Sequence, residues 1–143
     1  MRTIKYRGMD DNGCWHVGWL AGTNDGFIYI IENDEGWTDD GFHDDYFSGC
    51  HKVLEKTIGQ FTGLLDKNGK EIYEGDIVKT KGGWGGVVLW NSRGYFYIKD
   101  NNYYEYEEPD LSPIGSLLCC ERKQLEIIGN IHDNPELLKT ETL

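Results

Sequence analysis

Short apolar runs alternate with Gly-, Asn- and Asp-centred breaks along the chain. Period-two alternation bounded by turn residues predicts strands. Thr3 to Arg7 alternates about Ile4 and Tyr6, and Asp10-Asp11-Asn12-Gly13 is a turn signal. Cys14-Trp15-His16-Val17-Gly18-Trp19-Leu20 then returns as the second strand of a hairpin. Asn24-Asp25-Gly26 turns the chain again into Phe27-Ile28-Tyr29-Ile30-Ile31. That run is almost wholly apolar, which predicts a strand buried on both faces.

Regular alternation resumes near Val53. Phe61-Thr62-Gly63-Leu64-Leu65 and Lys70-Glu71-Ile72-Tyr73 flank Asp66-Lys67-Asn68-Gly69, where Asp at the first position and Gly at the fourth predict a type I turn closing a hairpin. Glu74-Gly75-Asp76 turns into Ile77-Val78-Lys79-Thr80, and Lys81 to Gly86 is a Gly-rich connection. Val87 to Trp90 and Tyr95 to Lys99 form a further hairpin about Asn91-Ser92-Arg93-Gly94, and Asp100-Asn101-Asn102 leads into Tyr103-Tyr104-Glu105-Tyr106. The stretch Asp110 to Lys123 fits a short helix or a loop. Leu125 to Ile131 reads as a last strand, and Asn134-Pro135-Glu136-Leu137-Leu138 carries a helix-start signature: Asn as cap, Pro at the first position and an acid in the first turn. The pattern predicts a mainly β protein of antiparallel curled sheets, with an SH3-like small barrel in the C-terminal half and one short C-terminal helix.

Composition narrows the function classes more than the fold. At 143 residues the chain fits one domain, subdivided at most into an N-terminal β region over 1–56 and a barrel-like region over 57–143. The formal net charge of −11 opposes nucleic-acid binding, which rests on Lys and Arg displacing counterions. It suits solubility or a basic protein partner. The N-terminal residues lead into no apolar run of signal-peptide length, and no stretch approaches a membrane span. Cytoplasmic residence with reduced thiols is the expectation.

Residues 32–45 differ in character. Glu32, Asp34, Glu35, Asp39, Asp40, Asp44 and Asp45 occur there with no Lys or Arg, interleaved with Trp37 and Phe42 and followed by Tyr46 and Phe47. Aromatic residues are enriched at binding hot spots, so Trp37, Asp39, Asp40, Phe42, Asp44, Asp45 and Tyr46 form the candidate partner surface. Strand alternation alone, with aromatics inward and acids outward, is the competing account.

The Cys and His residues raise the question of zinc. Cys119-Cys120 and Cys50-His51 are adjacent in sequence and point apart on a strand, whereas Cys14 and His16 share a face. A buried Cys also serves as a small hydrophobe. This spacing assigns no metal, and contact of Cys14 or His16 with one stays open. Gly82-Gly83-Trp84-Gly85-Gly86 lacks the Lys-Ser/Thr of a P-loop, and neither Asp66-x-Asn68 nor the acidic stretch has EF-hand spacing. No catalytic constellation and no cofactor is assigned.

The run Gly59 to Val78, containing Phe61-Thr62-Gly63-Leu64-Leu65-Asp66-Lys67-Asn68-Gly69-Lys70 and Glu74-Gly75-Asp76-Ile77-Val78, closely resembles the central motif of the YopX family of bacteriophage and prophage proteins. Glu126-Ile127-Ile128-Gly129-Asn130-Ile131-His132-Asp133-Asn134-Pro135-Glu136-Leu137-Leu138 resembles that family's C-terminal signature, and Ile4-Lys5-Tyr6-Arg7 its N-terminus. Leu65 stands where the motif more usually has a charged or polar residue, which marks a more buried turn as the expectation. The resemblance implies a single YopX-like domain over 1–143, phage or prophage origin, a β-rich fold and residence in the bacterial cytoplasm. It implies no enzymatic activity and no catalytic residue. The function expected is a non-enzymatic accessory protein that binds a protein partner or its own copies. The alternative is a small-ligand or nucleic-acid-binding β-barrel using the Gly82–Gly86 loop and neighbouring tyrosines as a stacking platform.

Overall fold

Two Asp-x-Asn-Gly turns organise the described parts of the chain. In the second, the Asp66 carbonyl accepts the Gly69 N–H at 3.0 Å and the Asp66 N–H donates to the Lys70 carbonyl at 2.7 Å. Gly69 has φ +81°, a backbone conformation that a Cβ disfavours, so this position calls for glycine. The Asp66 side chain completes the turn: Oδ1 accepts the N–H groups of Asn68 (2.8 Å) and Lys70 (2.9 Å). Asp10 builds the first turn by the same bonds, its Oδ1 accepting from Asn12 and Cys14. The computed structural model describes residues 3–24, 26–32, 49–79, 85–91, 94–100 and 125–138.

The strands among the described residues are β1 Tyr6–Met9, β2 Trp15–Gly22, β3 Ile28–Ile31, β4 Cys50–Val53, β5 Gly59–Leu65, β6 Glu71–Tyr73, β7 Asp76–Lys79, β8 Gly85–Asn91, β9 Tyr95–Asp100 and β10 Glu126–Asn130. They pair antiparallel in two sheets. The first has the order β4-β3-β2-β1-β5-β6 and the second the order β10-β7-β8-β9. The chain divides into two compact units, Met1–Phe61 and Thr62–Leu143.

In the first unit, β1 and β2 pair with Tyr6 opposite Gly18 and Met9 opposite Trp15. Leu20 faces Ile30 across β2 and β3, and Ile30 faces His51 across β3 and β4. Successive strand residues point to opposite faces, so His16, Leu20, Ile30, His51 and Val53 share one face. Ile30 and Val53 are buried there. Val17 and Trp19 lie on the other face and are exposed. The expectation that Phe27 to Ile31 is buried on both faces is therefore corrected. Ile30 is buried, Ile28, Tyr29 and Ile31 are half-buried, and Phe27 is exposed. An antiparallel sheet covered on one face buries alternate residues even where every residue is apolar.

The core of the second unit is Ile72, Val78, Val88, Phe96, Ile98 and Leu125, with Leu64 and Ile127 packed against it. Full burial of each such side chain stabilises by about 1.5–3 kcal/mol. The last strand, β10, pairs with β7, with a bulge between Ile127 and Gly129. Asp66 secures it: Oδ2 accepts the Ile127 N–H at 3.1 Å, and the Lys67 N–H donates to the Leu125 carbonyl at 2.8 Å. Buried Asp76 plays a local part, its Oδ2 accepting the Tyr73 N–H at 2.7 Å across the Glu74-Gly75 turn.

Three expectations change. Among the described residues the C-terminal strands form an open four-strand order and no closed barrel. The C-terminal helix is a single 3₁₀ turn, Pro135–Leu138. Asn134 precedes it as expected, but its Oδ1 accepts the Asn130 N–H at 3.3 Å, so it ties the turn back to the end of β10. Leu65 is 52% exposed, which overturns the buried turn inferred from its departure from the motif. It alternates with half-buried Leu64 at the end of β5, so the solvent side of the strand falls to it. The strand read at Tyr103–Tyr106, the 110–123 segment and Lys81 to Trp84 lie outside the described residues.

Burial opposes ionisation of Asp66 more than any other single influence, yet the amides of Ile127, Lys70 and Asn68 and the charge of Lys70 together hold its carboxyl below the ordinary 3.8. A depressed native pKa lends stability that is complete above the unfolded value and lost as pH falls through the native one. Asp66→Asn puts an NH2 group where N–H donors converge. It is expected to destabilise the protein by about 1–3 kcal/mol at neutral pH. Urea unfolding at pH 7 and pH 3 checks this, the gap between variant and wild type shrinking at the lower pH.

Candidate functional site

The first Asp-x-Asn-Gly turn holds a histidine cluster. Asp10 Oδ1 is taken up by the turn, and Oδ2 lies 2.8 Å from Nε2 of His16 on β2. The other ring nitrogen, Nδ1, lies 2.9 Å from Glu32 Oε1, directly after β3. Glu32 Oε2 is 3.5 Å from Nε2 of His51 on β4. The His16 and His51 rings stack at 3.7 Å between centroids with planes 10° apart.

Backbone placement explains the convergence. His16 and His51 share a face because β3 pairs with both their strands, and Glu32 follows Ile30 by two residues on that face. Gly18 lets β2 and the end of β3 come close. A Cβ there would run into the Ile31 carbonyl oxygen, a backbone atom that no side-chain motion can remove.

With a carboxylate against each ring nitrogen, both nitrogens of His16 donate only if the ring is charged. Burial works against that charge, but the hydrogen bonds and charges of Asp10 and Glu32 outweigh it and hold His16 above its ordinary 6.5. In return, the bond to His16, reinforced by the Cys14 amide, holds Asp10 below its usual value.

Sequence reasoning singled out His16, but with Cys14 as its companion. The structure places Cys14 on the exposed turn and unites His16 with His51 and Glu32. Cys50 is half-buried on β4, on the sheet face opposite His51. Glu32 is the first acid of the 32–45 stretch that the sequence pattern marks as a partner surface. Trp37, Asp39, Asp40, Phe42, Asp44, Asp45 and Tyr46 all lie outside the described residues. His51 carried no usable signal, because sheet register brings it to His16 and local spacing does not record register.

A family model described as YopX protein matches residues 5–139. The chain belongs to the YopX family. Both YopX-like motifs fall within the match, and Asp66 of the first bonds Ile127 of the second. A crystal structure of protein EF1440 from Enterococcus faecalis is similar at 23% identity, covering 97% of this chain and 100% of that one, with a TM-score of 0.49. No curated protein matches the chain. Among the described residues no helix is long and apolar enough to cross a membrane.

The raised native pKa of His16 lends stability that is complete below the unfolded value of 6.5 and lost as pH rises through the native one. In metal-free protein the His16 ring protons, followed by NMR, are expected to titrate above 6.5, and Glu32→Gln to lower the midpoint. A His16 that titrates at the ordinary value in both proteins contradicts the bonding described.

Proposed function

We propose that this YopX-family protein acts by binding a protein partner, catalyses no reaction, and works in the cytoplasm of a bacterium carrying the phage or prophage that encodes it. The observation that carries this reading is the outer face of β2, where Val17 is 41% and Trp19 61% exposed. Trp15 lies on the same face, with the Arg7 guanidinium 4.9 Å from its ring centre. Burying apolar area stabilises by roughly 25 cal/mol per Å2, and Trp is among the residues most enriched at hot spots. A face like this favours a partner surface over solvent.

Trp19 pairs with Ile31, and the acidic, aromatic segment begins in sequence at the next residue, Glu32. This continuity, with the net charge of −11, supports a basic partner that covers Trp19 and extends over Trp37, Asp39, Asp40, Phe42, Asp44, Asp45 and Tyr46. The SH3-like curl of the C-terminal strands is part of the same reading. It supplies a scaffold and no chemistry of its own.

Both Trp19→Ser and a variant with Asp39, Asp40, Asp44 and Asp45 changed to Asn should fold. Affinity capture of the full chain from the bacterial host, with captured proteins identified by mass spectrometry, is expected to recover one basic protein. Trp19→Ser should weaken that complex by about 30-fold, as loss of a hot-spot side chain worth about 2 kcal/mol does. The same protein held equally by wild type and both variants would remove the surface from consideration. A concentration-dependent dimer abolished by Trp19→Ser in sedimentation would assign the face to self-association instead.

A further inference from the structure

The histidine cluster has the makings of a site that partner binding does not use. Three side chains from separate stretches, His16 on β2, Glu32 after β3 and His51 on β4, each offer one ligand atom, and these atoms lie within 4.8 Å of one another. One carboxylate serves both rings, with Oε1 toward His16 Nδ1 and Oε2 toward His51 Nε2. The stacked rings each turn one nitrogen toward that carboxylate.

Two positively charged rings stacked at this distance would repel, so one cationic centre held between a nitrogen of each ring and the Glu32 carboxylate suits the arrangement better than two charged rings. A proton on His16 Nδ1 is one way to supply it. A divalent cation is the other, and the surroundings favour it. Ligating histidines typically donate their second ring N–H to a carboxylate, which fixes tautomer and orientation. Asp10 stands in that relation to His16: Oδ2 lies 2.8 Å from Nε2, and Oδ1 is held by the Asn12 and Cys14 amides. The supporting carboxylate is thus set by a turn before any ion arrives.

We infer that the protein binds one divalent transition-metal ion of the zinc class through His16 Nδ1, His51 Nε2 and the Glu32 carboxylate, with Asp10 as the positioning residue. Two imidazoles with a carboxylate suit Zn2+, Co2+ or Ni2+, whereas Mg2+ and Ca2+ prefer all-oxygen shells. Metal–ligand distances of about 2.0–2.2 Å put tetrahedral ligands roughly 3.4 Å apart. Ligand atoms that lie within 4.8 Å of one another must adjust to that spacing, and the Glu32 and His51 side chains, 43% and 28% exposed, have room to do so. The ion takes the place of the Nδ1 proton, which leaves to solvent, and water fills the fourth position. Cys14 and Cys50 are outside the ligand group among the described residues.

The test uses the full chain without a histidine tag, stripped with chelator and titrated with Co2+ by visible absorption and with Zn2+ by calorimetry. The expected result is one ion per chain, with a proton released on binding where His16 is charged. Glu32→Gln and His51→Ala should each weaken binding at least about tenfold, and Asp10→Asn by about 10–100-fold. Imidazole nitrogen NMR provides a reading independent of any variant's folding, with the His16 and His51 signals of wild-type protein shifting on Zn2+ addition. Absence of saturable binding overturns the inference. So do unchanged imidazole signals, equal affinity in Glu32→Gln and His51→Ala, or a thiolate-to-cobalt band that disappears in Cys14→Ser or Cys50→Ser.

Discussion

A buried carboxylate with both oxygens committed to backbone amides holds the second unit in register. Asp66 is 5% exposed, and a charge so placed is strongly unfavourable unless hydrogen-bonded. Its Oδ1 closes the β5–β6 turn and its Oδ2 meets the amide of Ile127 on β10. A β10 shifted by one residue would leave that oxygen unsatisfied and turn Ile127 away from the core it packs against. The penalty thus acts against wrong pairings more than it adds to the right one. The outer ion pair between Lys67 and Glu126, at 3.2 Å and half-exposed, adds little.

The same turn serves a different end in the first unit. Asp10 repeats the Oδ1 bonds of Asp66, but its free arm reaches an imidazole where that of Asp66 reaches an amide. A backbone amide has one protonation state, so the Asp66 contact is a fixed structural tie. An imidazole has two, so the Asp10 contact touches a group that exchanges protons or ligands. One local sequence pattern, Asp-x-Asn-Gly, gives a structural joint in one setting and a chemically responsive one in the other.

Most of the described strands were legible because their ends are marked by turn chemistry: Asp10 to Gly13, Asp66 to Gly69 and Gly94 close hairpins where the residue types demand it. What local pattern could not show was the next level. The apolar run at Phe27–Ile31 says nothing about which face is covered. Asn134-Pro135 signals a helical start but not that the turn would stop after Leu138 with the Asn134 side chain directed to Asn130. The histidine pair was half legible. His16 stood out by its local partner Cys14, yet its actual neighbours come from the β2-β3-β4 order, a non-local property. Glu32 looked like one acid among many because its role depends on the two rings beside it.

The separation between Asp66 and Ile127, 61 residues, also bears on the order in which the protein is made. At about 5–20 residues per second, synthesis places the partner amide roughly 3–12 seconds after the carboxylate. During that interval Asp66 can form its own turn but has no amide for Oδ2, and β7 lacks the neighbour that later covers it. Contacts so distant in sequence also slow folding once the chain is available. A nascent chain short of residue 127 would therefore hold the β5–β6 turn and the β7-β8-β9 strands without their lock, and a chaperone or protease would meet it in that form before the second unit closes.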